Sequence, residues 1–512
     1  MKRTRSTIFK TFSEIIDYWA QKQPEKIFLV DLSAGSQYSY AEFAAAVRRT
    51  AGFLRRKGIK SGSIVSVRIR NSIEFLVIYF ATLRLGGIIN PLPASMSDKE
   101  LVKNIAFVKP RILFIEHKST KKFTELCDVF PVSFRDSRAF MRLMNAWPDT
   151  KRSWKIDPRK PACLYYSSGT TSNPKGILYS HRNMTSLIAS VCTEFRHAQN
   201  TVHFGFLPMG HTAITNYSFL PVTYAGGTLV FAENFSTIRR YFWDILKKYK
   251  VTYVETVPTV LFSILNTPYP RFSKKGLQLG YLGCGSAPLP LDIQKRFQKR
   301  FGVPVANLYG LSETGPSHFD NPTKKNWKPG SIGRPLSVNA CAIMDEQMHE
   351  LPVNAVGEIA LKGPNVFIGY FKNSIAYQAI IRKGFFMTGD LGYRDRNGLF
   401  YYIDRKKDLI IKGGSNIFPG EIDEVLFKHS AVLEASTIGV PDDFYGEEII
   451  SFVVLKKPIA EEVLLRHCAK YLQNAKRPKR ILPIASIPKT YSGKLLRRML
   501  RDYYHELSEK SR

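Results

Sequence analysis

From Ser39 to Pro93 the apolar residues change period twice, and the order of those changes restricts the fold more than any other feature of the chain. Ser39 and Glu42 stand at the head of a stripe, Phe43, Val47, Ala51 and Leu54, that recurs at helical spacing. A Ser-x-x-Glu pair in that place satisfies two of the free N–H groups at a helix start. "IVSVRIR" (64–70) then reads as a strand, Ile73–Leu85 as a helix, and "GIINPLP" (87–93) as the next strand. Strand, helix, strand in that order predicts a parallel sheet, because a crossover helix brings the chain back to start a second strand in the same direction.

The pattern returns. "GGTLVFAE" (226–233) and "VTYVETV" (251–257) read as strands on either side of a helical stripe of Ile238, Phe242, Ile245 and Leu246. "GLQLGYLGCGSAPL" (276–289) ends a further strand in a Gly/Ser/Pro turn, and Leu291–Phe301 continues as a helix. After about residue 330 the texture changes to short strands cut by Gly and Pro: "GEIALKG", "GFFMTGDLGYRD", "GLFYYIDR". A last unit has a helix near Glu421–Lys428, two strands, and a helix near Glu461–Gln473. The polar run Asp404–Asp408 separates two self-sufficient patterns, which predicts domains over 1–404 and 405–512.

A chain of 512 residues with 44% hydrophobic content exceeds one compact core and leaves little room for long disorder. The longest apolar run, "FLVIYFATL" (75–83), stops at Arg84 and is expected to be a buried helix, so no transmembrane segment is expected. The six cysteines are scattered without metal spacing, and no apolar leader follows the basic first residues; both favour a reducing cytoplasm. The 75 Lys and Arg outnumber the 42 Asp and Glu, giving +33, which concentrates anions near the surface. Nucleic acid, nucleotides, coenzyme A, an acidic carrier protein and anionic lipid all fit that charge, as does a solvated surface with no partner. No nucleic-acid recognition motif is present, so no specific nucleic-acid partner is expected.

"YYSSGTTSNPKG" (165–176) narrows the choice. Ser167, Ser168, Thr170 and Thr171 surround Gly169, whose missing Cβ lets backbone N–H groups approach a ligand, and Lys175 adds a positive charge. That composition suits a polyphosphate. It is not a Walker A loop, since Pro174 and Gly176 stand where Gly and Ser or Thr are required.

The loop resembles the phosphate loop of the adenylate-forming superfamily, the acyl-CoA synthetases and their kin. The superfamily's other signatures follow in order: "GSAPL" (285–289), "NLYGLSETG" (307–315), "TGDLGYRD" (388–395), "YIDRKKDLIIKGG" (402–414) and "PKTYSGKLLRR" (488–498). The resemblance spans essentially the whole chain. It implies an α/β fold with an α+β C-terminal part: a large N-terminal domain of packed α/β subdomains and a small mobile C-terminal domain. The activity it implies is an ATP- and Mg²⁺-dependent carboxylate–CoA ligase working through an acyl-AMP.

The resemblance also implies roles. Ser167, Ser168, Gly169, Thr170, Thr171 and Lys175 would grip the ATP phosphates, with Thr170 among the catalytic groups. Ser286, Ala287, Pro288, Asn307, Leu308, Tyr309, Gly310 and Ser312 would line the nucleotide site, with Tyr309 stacked on adenine. Glu313 would hold Mg²⁺, a cation that prefers hard oxygen ligands. Asp390 would accept from the ribose hydroxyls beside Arg405, and Lys494 would reach the carboxylate and the α-phosphate. Lys407 would be the hinge, and Gly413 and Gly414 would line the path of the coenzyme A arm.

His211, Thr215, Asn216, Gly283 and Gly285 would surround the acyl group. Polar residues among aromatic ones in "LPMGHTAITNYSFLP" (207–221) suit a short, medium or polar acid at least as well as a long alkyl chain, and Leu308 would narrow the site. No Asp or Glu occurs between Thr201 and Ala232, which argues against an α-amino acid. Some segments are similar to the crotonobetaine/carnitine–CoA ligase branch. Coenzyme A leads as acceptor, with an acidic acyl carrier protein left open by a tail free of acidic residues from Val463 to Arg501. Oligomeric state is not legible.

Overall fold

The computed structural model describes residues 9–116, 123–133, 139–149, 154–166, 175–270, 272–489 and 495–510. Its N-terminal part is built on two seven-stranded sheets. One runs, in spatial order, through the strands Val305–Asn307, Leu282–Cys284, Tyr253–Thr256, Val202–Gly205, Thr228–Phe231, Ile27–Asp31 and Ser36–Ser39. Its first six strands are parallel, as the strand–helix–strand order requires. The other runs through Gly369–Tyr370, Gly176–Ser180, Pro161–Tyr166, Ile88–Pro91, Ile64–Arg68, Ile112–Glu116 and Asp128–Val132.

Ser39 and Glu42 form the expected capping box, Glu42 Oε2 accepting from Ser39 N at 2.7 Å and Ser39 Oγ from Glu42 N at 3.2 Å. The helix that follows, Tyr40–Arg56, packs on the helix Ile73–Arg84, every residue of which is buried. A helix apolar all round has to be surrounded. Its Arg84 is tolerated because Asp17 pairs with it at 2.8 Å. Among the described residues no helix is long and apolar enough to cross a membrane. The stripe from Ile238 to Leu246 is not one helix: a short turn, Arg239–Tyr241, divides Phe235–Ile238 from Phe242–Lys248.

Two antiparallel sheets, of three and five strands, follow from Tyr309 to Arg405. Beyond them a smaller C-terminal domain has its own five-stranded sheet and its own apolar clusters, Ile410 to Ile481 on one face and Ile438 to Leu500 on the other. Its last helix, Arg497–Lys510, begins with a buried cation. Arg497 pairs with Asp423 at 2.9 Å, Asp404 at 3.2 Å and Asp408 at 3.5 Å. The domain leans on its larger neighbour through Glu424 Oε1, which accepts from Leu291 N at 3.0 Å.

Candidate active site

The strands Pro161–Tyr166 and Gly176–Ser180 are antiparallel, with Tyr166 and Gly176 as register partners. The segment between them therefore leaves and re-enters the sheet at one point. Ser167, Ser168, Gly169, Thr170 and Thr171 lie in that segment, outside the described residues, as does Lys494. Lys175, at its exit, is described. Gly176 has no room for a side chain, since a Cβ would lie 2.9 Å from Leu164 Cδ1 and 3.1 Å from Phe371 Cβ.

Beside that exit the strand Gly369–Tyr370 pairs with Gly176–Ser180, setting Tyr370 opposite Ile177. Lys175 Nζ lies 5.1 Å from the centre of the Tyr370 ring, within cation–π range. The Tyr370 hydroxyl donates to Glu313 Oε1 at 3.0 Å. Glu313 stands in the tight turn of a hairpin, Tyr309–Leu311 against Gly315–Phe319, and neighbours pin the turn. Tyr179 Oη donates to Ser312 O at 2.8 Å, Phe367 N to Glu313 O at 2.9 Å and Asn365 Nδ2 to Thr314 O at 2.9 Å. Three segments distant in sequence thus place Lys175, Glu313 and Tyr370 together.

On the other side of the hairpin Tyr309 Oη donates to Asp390 Oδ2 at 2.6 Å, and Arg405 Nε meets Asp390 Oδ1 at 2.6 Å. Asp390 and Arg405 are register partners on neighbouring strands. Asp390 is buried, and its charge holds the Arg405 guanidinium above its ordinary range; Glu313 acts on Arg405 in the same sense. A half-buried carboxylate at Glu313, with one oxygen taken by a neutral phenol, is a hard oxygen donor of the kind Mg²⁺ takes together with phosphate oxygens. No cluster of three or more His, Cys, Asp or Glu that could hold a metal alone occurs among the described residues.

Between the hairpin and the helix that begins at Thr212 is a cavity of about 30 Å³. Its walls include His211, Asn216, Tyr217, Ser286, Leu308 and Ser312. Thr215–Phe219 widens into a single π-helical turn, which re-aims Asn216 and Tyr217 relative to an α-helix. Thr215 does not line the cavity. Fully buried beneath it, Thr215 accepts from Tyr165 Oη at 3.1 Å and donates to His211 O at 3.0 Å. Gly283 and Gly285 also act indirectly. A Cβ on Gly285 would lie 2.8 Å from Leu308 O, so glycine there lets Leu308 close the wall. Ser286 holds a left-handed φ of 67°, Ala287 and Asn307 are half-buried, and Pro288 is exposed. Gly310 leaves space for the Gly315 carbonyl.

Lys407 is exposed on the short turn Lys406–Asp408. Gly413 and Gly414 form the hairpin turn between Ile410–Lys412 and Ser415–Ile417, with φ of 54° and 77°. A Cβ on Gly414 would meet nothing within 4 Å, so backbone conformation is what demands glycine there. Neither glycine lies at the cavity wall. Sequence reasoning missed Tyr370, which has no motif around it, and Arg497, which stood inside a run of other basic residues.

The family model described as AMP-binding enzyme matches residues 16–371, and the one described as AMP-binding enzyme C-terminal domain matches residues 421–494. The chain belongs to the AMP-binding enzyme family. Among curated relatives, a sulfoacetate–CoA ligase of Cupriavidus necator is 32% identical, with 98% of this chain and 99% of the relative covered. ATP-bound MatB from Rhodopseudomonas palustris superposes with a TM-score of 0.90 at 28% identity, covering 97% of this chain and 99% of that one. A Bacillus subtilis o-succinylbenzoate coenzyme A synthetase, in complex with ATP and a magnesium ion, gives 0.85 at 27% identity, covering 95% and 99%. The match to these structures extends over both the large and the small domain.

Proposed function

We propose that the protein is an ATP- and Mg²⁺-dependent carboxylate–CoA ligase. The observation that carries this reading is one hairpin that gathers both sets: Lys175 and Tyr370 meet Glu313 at its turn, while its Tyr309 meets Asp390, which Arg405 pairs. The names and ligands of the relatives support it. In the first half-reaction a carboxylate oxygen attacks the α-phosphorus of ATP, giving acyl-AMP and pyrophosphate. In the second the coenzyme A thiol attacks the acyl carbon, and AMP leaves with the electron pair of the broken C–O bond.

Bringing a carboxylate to a polyphosphate sets anions against each other, so positioning and neutralisation dominate the barrier. Lys175 and the 167–171 loop would hold the outer phosphates, and Asp390 with Arg405 the ribose. Glu313 would hold Mg²⁺, which when bound screens the phosphate charge. Tyr370 would fix the Glu313 carboxylate by its hydrogen bond. Lys494 would neutralise the reacting carboxylate and α-phosphate. Residues 405–512 would form the moving part, turning near Lys407. A wall closed by Leu308, with Asn216, Tyr217 and Ser286 beside it, favours a short polar acid.

Mass spectrometry of products from ATP, Mg²⁺ and a pooled acid library, with and without coenzyme A, tests the reading. New acyl-CoA masses are expected. Acyl-AMP that accumulates regardless of coenzyme A would move the acceptor to an acyl carrier protein, and no product of either kind would end the proposal. Lys494→Ala is expected to abolish acyl-AMP formation and spare thioester formation from supplied acyl-AMP.

A further inference from the structure

Behind the cavity wall lies a knot of buried polar groups that the reaction does not use. Glu255 is 4% exposed on the strand Tyr253–Thr256, and neither of its carboxyl oxygens has a hydrogen-bond partner among the described residues. The same is true of Tyr253 Oη, Tyr281 Oη, His203 Nδ1 and His197 Nε2. These groups adjoin one another. The Tyr253 ring lies 4.8 Å from His203, 5.1 Å from His197 and 5.9 Å from Tyr281, between ring centres. So many orphaned polar atoms in one place need a partner, because each costs about 1–3 kcal/mol when desolvated and unmatched.

The knot adjoins the back of the cavity wall. Glu255 is the register partner of Gly283 on the neighbouring parallel strand, so its side chain leaves the sheet on the side where Gly283 lacks one. A Cβ on Gly283 would lie 2.6 Å from Leu308 Cδ1 and 2.7 Å from Tyr253 Oη. Leu308 lines the cavity, and so does Tyr217, whose ionisation is opposed first by burial and then by the nearby Glu255. Leu308 and Tyr253 thus meet over Gly283, which sets the Leu308 wall of the cavity against the Tyr253 hydroxyl of the knot.

We infer that this knot is the far end of the acyl site, and that Glu255 selects an acid carrying a positively charged nitrogen remote from its reacting carboxylate. The inference rests on the ligase reading. Its sign comes from the charges present. No lysine or arginine lines the cavity among the described residues. Burial pushes the Glu255 carboxyl's pKa up, and Arg196, the cation that acts on the knot, is felt at Tyr281. A second anion would meet only an acid and the electron-rich faces of rings. A neutral alkyl end would leave the orphaned groups unmatched. An ammonium would ionise Glu255 as its counter-ion and lie against tyrosine faces, which attract cations. The lack of an acidic residue between Thr201 and Ala232 argues against an α-amino acid, and a remote nitrogen does not touch that argument. The acidic partner enters from the next strand instead.

Acid-dependent ATP–pyrophosphate exchange tests this with matched acids: 4-aminobutanoate, pentanoate and glutarate, and the corresponding sets one carbon shorter and longer. For the wild-type protein kcat/KM is expected to be at least about tenfold higher for the amino acid than for its alkyl counterpart, with the dicarboxylate lowest. Glu255→Gln is expected to remove most of that preference. An alkyl acid or dicarboxylate preferred by the wild-type protein, or an unchanged ratio in Glu255→Gln, overturns the inference. If Glu255→Gln does not fold, the wild-type ranking decides alone. Turnover of alkyl acids with refusal of amino acids ends this inference and leaves the ligase reading standing. Exchange with no acid of any class, including a pooled library, ends both.

Discussion

Tyr370 donates its hydroxyl to Glu313 Oε1 across 3.0 Å, joining a two-residue strand to the turn of a hairpin 57 positions earlier. The bond fixes the carboxylate proposed to hold Mg²⁺ while Lys175 rests over the same ring. Tyr370→Phe keeps the ring and removes the donor. It is expected to lower kcat/KM for ATP by about tenfold and to raise the Mg²⁺ concentration for half-maximal rate, since hydrogen bonds to charged groups contribute about 1.5–3 kcal/mol. An unchanged Mg²⁺ titration would show that the bond does not orient Glu313.

Asp390 is buried and is met by both Arg405 and Tyr309. Asp390→Ala removes the partner of a guanidinium and of a buried phenol together. Unfolding free energy is expected to fall by about 3 kcal/mol, with KM for ATP raised well beyond tenfold. Denaturant titration and ATP saturation curves check the two effects separately.

Leu308 closes the cavity because Gly283 and Gly285 give it room. Leu308→Ala is expected to cost about 2–4 kcal/mol of stability and to shift the best acyl chain upward by one or more carbons. A chain-length profile that does not move would place the limiting wall elsewhere.

Burial holds His181 at about 4 and His197 and His318 at about 3, below the ordinary 6.5, and burial with the neighbouring His197 holds His203 well below it too. All four are neutral in the folded protein and take up protons on unfolding. The unfolded chain therefore binds more protons between about pH 4 and 6.5, and stability must fall as pH drops through that window. Each histidine contributes at most about 1.4 kcal/mol per pH unit. His181→Leu, which replaces a ring with no partner at either nitrogen among the described residues, should flatten the slope by about one proton. Urea unfolding at pH 7, 6 and 5 measures it.

Arg497 neutralises Asp404, Asp408 and Asp423 from a buried position, yet burial still pushes Asp423 up to about 7. Arg497→Met leaves three carboxylates without their cation. The C-terminal domain is expected to lose about 3–5 kcal/mol and to become the first site of limited proteolysis, with pyrophosphate exchange falling in step. Proteolysis unchanged from wild type would mean that the pairs are incidental.

The parallel sheets were legible because buried strands and a wholly apolar helix such as Ile73–Arg84 leave a clear period in the sequence. The division at Arg239–Tyr241 was not, since a stripe at helical spacing survives a change of helix type. At the site, long motifs marked Glu313, Asp390 and Arg405 but could not say what holds them. Tyr370 reaches Glu313 only through a strand pairing, and pairings between distant segments leave no local pattern. Glu255 did leave a signal, a carboxylate in the middle of an apolar strand. Its meaning depended on Gly283 standing beside it in the sheet.

The contact of Arg497 with Asp404, Asp408 and Asp423 also orders events at the ribosome. A chain made from its N-terminus outward exposes those three carboxylates 74 to 93 residues before their cation is added. The large domain can close while translation continues. The small one must wait, its three carboxylates without their buried partner, until Arg497 has left the exit tunnel.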